Sequence, residues 1–300
     1  MVYYSHIEDI WTAYANVRFD TKIKEDIEYH TDSQSFNASL LSHIPDPSLG
    51  YLDQTTGSDV LDVIEDYLNN SPFSLCGSYI FLLAKRYPSN VPYDDKFNKM
   101  LQKLRDNHAS VYIVTSNTPS GGSDITSLFD LAMLTNGFGV SNSDAPMKTV
   151  GGIEVDENLS IFFEDIYYTS RILLRPYQFL AQIFDVSGAG RKEIQFQAAN
   201  TGPYWQQVSF YITYQNHNRD ENFKKANYTV TDTYGNDIAD GPFVTVTTAS
   251  TKSTLNSDYP ILNRTADYTL AIDYTYGSNM DRMLVRMYRD IPTDDWLPIP

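Results

Sequence analysis

The residues best placed for chemistry are few. Pro119-Ser120-Gly121-Gly122-Ser123 lies between an apolar run and a helical stretch, at the carboxyl edge where α/β sheets bind ligands. Free backbone amides of Ser120, Gly121, Gly122 and Ser123 at such a helix start can hold an anion. The spacing matches neither Gly-x-Gly-x-x-Gly nor a phosphate loop ending in Gly-Lys-Ser/Thr, and a plain turn is the stronger reading. Asp94-Asp95 and Asp294-Asp295 are adjacent carboxylates that read as caps and solvated surface. His6, His30, His43, His108 and His217 never fall at ligand spacing with a second His or Cys, which disfavours zinc. Cys76 is the single cysteine, so no internal disulfide forms. No Gly-x-Ser-x-Gly elbow occurs, and no Ser, His and Asp are placed suggestively. A catalytic triad would have to be assembled from distant segments.

The elements that must position these residues follow from periodicity. Ser78 to Ala84 and Val111 to Thr115 are short apolar runs of the kind that strands buried on both faces show. Between them, Asp94 to Asn107 carries Phe97, Met100, Leu101 and Leu104 on one helical face. A further helix starts at the cap Ser123, carries Ile125, Leu128, Phe129, Leu131 and Ala132, and stops at Asn136-Gly137. Strand, helix, strand, helix is the unit of a parallel α/β sheet.

Upstream, residues 3 to 15 read as an amphipathic helix with Ile7, Ile10, Trp11 and Tyr14 on its stripe. Val17 to Ile23 alternates and predicts a strand, paired across a turn with a second strand at Ile27 to His30. Helices are expected at Ser35 to His43 and over Val60, Leu61, Ile64, Tyr67 and Leu68. Downstream, Asn142 to Ser160 is polar and acidic and reads as a linker. From about residue 172, period-2 alternation and Gly-rich turns predict strands at Tyr177–Phe184, Lys192–Ala198, Gln207–Tyr214, Asn227–Thr233, Phe243–Thr248, Ala266–Tyr274 and Met283–Tyr288. That spacing predicts an antiparallel sandwich. Its tyrosines, including Tyr204, Tyr211, Tyr214, Tyr228, Tyr234, Tyr268, Tyr274 and Tyr276 with Trp205, suit half-buried strand positions better than a ligand-stacking surface.

Composition sets outer limits. The chain has 300 residues, enough for about two domains. A formal charge of −16 opposes nucleic acid and anionic membranes as partners. No run reaches the roughly 18 apolar residues of a membrane-spanning helix, so membrane insertion is not expected. Met1-Val2-Tyr3-Tyr4-Ser5-His6 lacks the features of a secretory signal.

Several segments together carry a resemblance: Phe19-Asp20-Thr21-Lys22, Ser42-His43-Ile44-Pro45-Asp46-Pro47, Cys76-Gly77-Ser78-Tyr79, Lys85-Arg86-Tyr87-Pro88, Pro119-Ser120-Gly121-Gly122 and Thr135-Asn136-Gly137. Their wording resembles a nematode family of uncharacterised von Willebrand factor A-like domains, often found with C-type lectin modules and secretion signals. Thr56-Gly57 sits where that family has its Thr-Gly loop. The likeness implies an extracellular setting, whereas a complete gene product beginning at Met1 would be cytoplasmic. The family's metal-binding members use Asp-x-Ser-x-Ser after the first strand, and that motif and strand are absent. Where a further carboxylate belongs, the chain reads Ala84-Lys85-Arg86, two cations that oppose a divalent ion. Only Thr56 remains, so no metal is expected there and no cofactor is implied.

The expected fold is therefore α/β, a von Willebrand factor A-like mostly parallel sheet lacking its first strand, over residues 1–141. A linker over 142–171, an immunoglobulin-like β-sandwich over 172–290 and a Pro-rich tail over 291–300 should follow. Loss of the first strand would leave a gap between strands at 17–23 and 78–84, and an N-terminally truncated chain would then be poorly soluble. Asn37, Asn69, Asn158, Asn227 and Asn263 open N-glycosylation acceptor patterns. The expected function is a non-catalytic extracellular interaction or adhesion-type module with an unknown protein or glycan partner. The alternative is a hydrolase with a triad built from distant segments.

Overall fold

The computed structural model describes residues 12–89, 95–116, 118–137, 139–142, 148–150, 153–155, 177–197, 205–213, 222–242, 255–258, 261–263 and 266–289. Strands β1 (Tyr14–Asn16) and β2 (Glu28–His30) form a small antiparallel pair. Helices α1 (Ser33–Ser42) and α2 (Val60–Asn70) follow. Then come β3 (Tyr79–Ala84), α3 (Asp95–Asp106), β4 (Ser110–Ser116), α4 (Thr126–Leu134) and β5 (Gly139–Asn142). Strands β6 (Lys148–Val150) and β7 (Ile153–Val155) form a hairpin within the stretch read as a linker. The remaining strands are β8 (Tyr177–Val186), β9 (Ala189–Gln197), β10 (Trp205–Thr213), β11 (Phe223–Asp232), β12 (Asp237–Pro242), β13 (Leu255–Asp258), β14 (Ile261–Asn263), β15 (Asp267–Tyr276) and β16 (Asp281–Arg289).

The mostly parallel, von Willebrand factor A-like sheet is not what forms. Among the described residues, parallel pairing is confined to β3–β4–β5, and every other ladder is antiparallel. The expected strand at 17–23 is absent because Asp20 adopts a left-handed conformation, φ 61°, which breaks an extended run. Only Thr21 bridges, to Gly50. Strand β2 pairs instead with Tyr14–Asn16, where the amphipathic helix was expected to end, and residues 3–11 of that expected helix lie outside the described residues. With no strand at 17–23, the expected gap beside β3 does not arise in that form.

One face of the three-stranded sheet is buried. Leu82, Ala84, Val111 and Ile113 join one apolar cluster with Val60, Ile64 and Leu68 of α2, Phe97, Met100 and Leu104 of α3, and Leu128, Leu131 and Ala132 of α4. The i, i+4 and i, i+8 spacing on α2 and the i, i+3 and i, i+7 spacing on α3 explain why each presents a single stripe. Helix α4 differs, since every residue from Ser127 to Met133 is buried. A helix buried all round must be covered on all sides, its polar Ser127 and Asp130 included, and part of the remaining cover comes from the second half. Met133 packs on Leu284, with Leu134, Ala181 and Ile183 beside them.

The second half is two antiparallel sheets, β13-β10-β16-β8 with β14 on β10, and β12-β11-β15-β9. Ile194, Phe196, Val230, Leu270 and Ile272 from one sheet meet Val186, Met283, Val285 and Met287 from the other in one core. This is a β-sandwich in the sense that period-2 strands bury their inner faces against each other. Tyr228, Tyr268, Tyr274 and Tyr276 belong to that core, and Tyr234 stands exposed at a turn. The side chains of Tyr204, Trp205, Tyr211 and Tyr214 lie outside the described residues. Strands β12, β13 and β14 are additions to the expected set, and the strand expected at 243–248 falls outside the described residues.

Candidate functional site

Chemistry-bearing residues gather at the carboxyl ends of β3 and β4. Arg86 follows β3 directly and is 3% exposed. Its guanidinium donates to the carbonyls of Thr56 at 2.5 Å, Asp53 at 2.9 Å and Tyr51 at 3.0 Å, and lies 5.4 Å over the Tyr51 ring. A planar cation with five donors suits such a carbonyl cage. The Thr56 hydroxyl donates to Asp53, and its amide does the same. Those bonds, with two more from Thr55, hold the Asp53 carboxyl well below its ordinary range. The loop is thus organised by a resident guanidinium. Among the described residues no three His, Cys, Asp or Glu side chains gather as a metal set.

The candidate anion loop is closed by the chain itself. Ser120 donates its amide to Lys85, Gly122 to Gln54 and Ser123 to Pro88, while the Gly121 carbonyl accepts from Tyr87. Helix α4 starts three residues later than the expected cap, and the Asp124 carboxylate, not Ser123, accepts from the amides of Thr126 and Ser127. A carboxylate at that helix start occupies the place an anion would take.

Two constellations were missed in the sequence. The first is a clasp in which Asp20 donates its amide to Asp59 at 2.8 Å, and Asp59 donates its amide to Asp20 at 3.0 Å. Burial pushes the Asp20 carboxyl up to about 6, with Asp59 beside it adding to the rise against the opposing Ser58 hydroxyl and Asp59 amide. Tyr51 faces the pair, with Arg86 on its ring and Lys24 on the Asp59 side. Folding favours the protonated form, so this contribution to stability is complete below the unfolded value near 4 and is lost as pH rises through about 6. Asn suits a left-handed residue and keeps both acceptor and donor without the charge. Asp20→Asn is therefore expected to raise stability at pH 7.5 by about 1 kcal/mol, after allowance for solvent screening. Melting curves should show no gain at pH 5. An equal effect at both pH values would dismiss the clasp as the cause.

The second constellation is Glu28, Ser39 and His43. The Ser39 hydroxyl donates to Glu28 at 2.5 Å and accepts from Asn16 at 2.9 Å. His43 Nδ1 lies 2.8 Å from the Ser39 carbonyl and 3.4 Å from its hydroxyl, with Nε2 3.7 Å from Glu28. An acyl-transfer triad needs the hydroxyl on the imidazole and the imidazole on the carboxylate. Here the hydroxyl is committed to the carboxylate and the imidazole to a carbonyl. The arrangement fastens α1 to β2, and its only sequence signal was the i, i+4 spacing of Ser39 and His43.

Above these ties lies an apolar surface. Ile23 is 82% exposed, Leu41 74%, Ile44 60% and Leu52 86%, with Leu40 and Leu49 also exposed. The segments of Ile23, Ile44 and Leu49 are tied together: Lys22 donates its amide to Leu49 and its ammonium to Ser48, and Arg18 spans from Glu25 to the Ile44 carbonyl. Thr21 donates to the Ile23 carbonyl. The loops are held by their own bonds while their large side chains face water.

Of the acceptor asparagines, Asn37, Asn69 and Asn227 are exposed and Asn263 is half-buried. Asn158 lies outside the described residues, and Cys76 is exposed.

Comparison with known proteins adds little to this geometry. Residues 182–290 match a family described as "Domain of unknown function (DUF7154)", well under half of the chain. No curated protein matches. Among solved structures, the K1 cleaved adhesin domain of Lys-gingipain from Porphyromonas gingivalis W83 is similar at 12% identity and TM-score 0.23, over 36% of this chain and 66% of that one. Dimeric latent PorU from Porphyromonas gingivalis is similar at 15% identity and TM-score 0.21, over 37% and 11%. The infectious bursal disease virus VP2 subviral particle follows at 7% identity and TM-score 0.19, over 38% and 34%. The chain thus spans less than two thirds of each, and likeness this low carries no argument about fold or function.

Proposed function

We propose that the chain is a non-catalytic recognition module of an extracellular glycoprotein, which engages a protein or glycan partner through the loops of residues 21–52. The observation that carries this reading is the exposure of Ile23, Ile44 and Leu52 on loops and of Leu41 at the end of α1. Large apolar side chains grouped in water mark interaction sites more often than scattered ones do. Bonds from Lys22 to Leu49 and from Arg18 to Ile44 bring the segments of Ile23, Ile44 and Leu49 together, and segments already held in place lose less entropy on binding. Exposed acceptor asparagines at 37, 69 and 227 support the extracellular setting.

The test is saturable binding of the glycosylated chain to a glycan array and to cell surfaces, compared with a Leu41→Ser/Leu52→Ser variant. Both positions are exposed, so the variant should melt within about 0.5 kcal/mol of the parent. Binding should fall at least about tenfold, the effect of losing roughly 1.4 kcal/mol of contact. Equal binding by the two proteins would remove the support for this reading.

A further inference from the structure

We infer that the apolar surface of residues 21–52 takes a basic amphipathic polypeptide, a partner segment whose apolar ridge is flanked by lysine or arginine. The inference rests on the recognition reading and names the chemistry of its partner.

The charge around the apolar side chains decides the sign. From Thr21 to Asp53 the sequence holds Glu25, Asp26, Glu28, Asp32, Asp46 and Asp53 against Lys22 and Lys24, two minus six, a net −4. Both lysines are already engaged: Lys24 pairs with Asp66, and Lys22 donates to the Ser48 carbonyl. Asp26, Asp32, Asp46 and Asp53 are exposed. Asp32, Asp46 and Asp53 are held below their ordinary range by hydrogen bonds from neighbouring Ser and Thr residues, so they stay ionised at any physiological pH. Arg18 is a further cation at this segment, paired with Glu25 and facing Asp46, and the segment is therefore apolar in its large exposed side chains and anionic on balance.

That combination discriminates among occupants. A second copy of this chain, at −16 overall, would bring the same negative rim against itself, and like-charge juxtaposition opposes association. An anionic lipid surface is repelled for the same reason. A basic amphipathic segment satisfies both features, burying its ridge on Ile23, Leu41, Ile44 and Leu52 while its cations meet the carboxylates. Segments held by their own hydrogen bonds also suit a docking helix, because less of the receiving surface needs to be ordered on contact.

The experiment titrates the full chain with three synthetic amphipathic helices that share one leucine face and carry Lys, Gln or Glu opposite it, at low and high salt. The Lys/Leu helix should bind saturably, about tenfold more weakly at high salt, and the Glu/Leu helix should not bind. Leu41→Ser/Leu52→Ser should reduce Lys/Leu binding at least about tenfold. Asp26→Asn/Asp46→Asn should flatten the salt dependence, since the side-chain amide oxygen introduced at position 46 still accepts from the Ser48 amide that Asp46 now serves. Equal binding of the Lys/Leu and Gln/Leu helices overturns the basic partner and leaves the recognition surface standing. Binding of none, or binding that the leucine variant does not change, overturns both. Two controls carry the other occupants: self-association in sedimentation, or partition onto zwitterionic vesicles, lost in the leucine variant, would replace the polypeptide by a second copy or a membrane.

Discussion

Arg286→Ala is expected to cost about 3–5 kcal/mol of stability. Arg286 is 1% exposed, and its guanidinium donates to the Met133 carbonyl at 3.1 Å and to the Gly137 carbonyl. Both acceptors lie at the carboxyl end of α4, where the helix dipole favours a cation. Truncation leaves a cavity of nearly a whole side chain and withdraws donors from two buried carbonyls. Arg286→Met should recover the packing share and Arg286→Lys part of the bonding, because an ammonium cannot reach two carbonyls in a fork. The neighbouring pair behaves asymmetrically. Arg282 donates twice to Asp130, at 2.8 and 3.0 Å, and the two side chains are 34% and 6% exposed. Arg282→Ala takes the guanidinium from a buried carboxylate, whereas Asp130→Asn leaves a cation that water can reach. The first should cost about 2–3 kcal/mol more than the second. Urea titration decides both, and the reverse order for the Arg282–Asp130 pair would refute the joint as described.

These arginines show what a sequence reveals and what it withholds. The strands β3 and β4 and the helix α3 were legible because apolar runs and 3.6-residue stripes depend on burial alone. The sandwich strands were legible through period-2 alternation for the same reason, while β12 was missed because Asp237–Pro242 carries Asp, Gly and Pro around a single adjacent apolar pair, Ile238-Ala239, with no alternation. Alternation at Val17–Ile23 misled, since nothing local announces that Asp20 will turn left-handed to meet Asp59, thirty-nine positions away. Arg86 read as one of two cations opposing a metal, yet it is the hub of its loop, because its acceptors are main-chain carbonyls and those have no sequence signature. The same holds for Arg286. Helix α4 concealed its surroundings: Thr126, Ser127 and Asp130 share one side of the helix and read as a face for water, whereas Asp130 is buried against Arg282, 152 positions away. The apolar surface at 21–52 was not legible, because Leu41 and Leu52 are core residues by type and only the fold turns them outward.

Gly122→Ala should cost more than its backbone conformation alone explains. Gly122 sits at φ 71°, and a Cβ there would lie 1.7 Å from the Tyr87 carbonyl oxygen, 2.6 Å from its carbon and 2.9 Å from the Pro88 oxygen. All three are main-chain atoms, so no side chain can rotate away. Making room means parting residues 119–124 from 85–88, which are joined by bonds from Ser120 to Lys85, Tyr87 to Gly121, and both Ser123 and Asp124 to Pro88. Gly77 and Gly235 supply the control, at φ 73° and 80° with nothing within 4 Å of the added carbon. Gly77→Ala and Gly235→Ala should each cost about 1 kcal/mol, the left-handed penalty alone. Gly122→Ala should cost about 3 kcal/mol or more, since steric displacement and broken bonds add to that penalty. Amide exchange at Ser120, Ser123 and Asp124 should accelerate in the variant, because their acceptors move with the displaced strand end. The contrast separates two accounts of the Ser120–Ser123 loop. A loop kept open to cradle an anion would tolerate a methyl group at Gly122 much as Gly77 does, and would lose anion binding without losing stability. A loop zipped onto the segment that follows β3 loses stability first, and an equal cost for the three alanines would rule that account out.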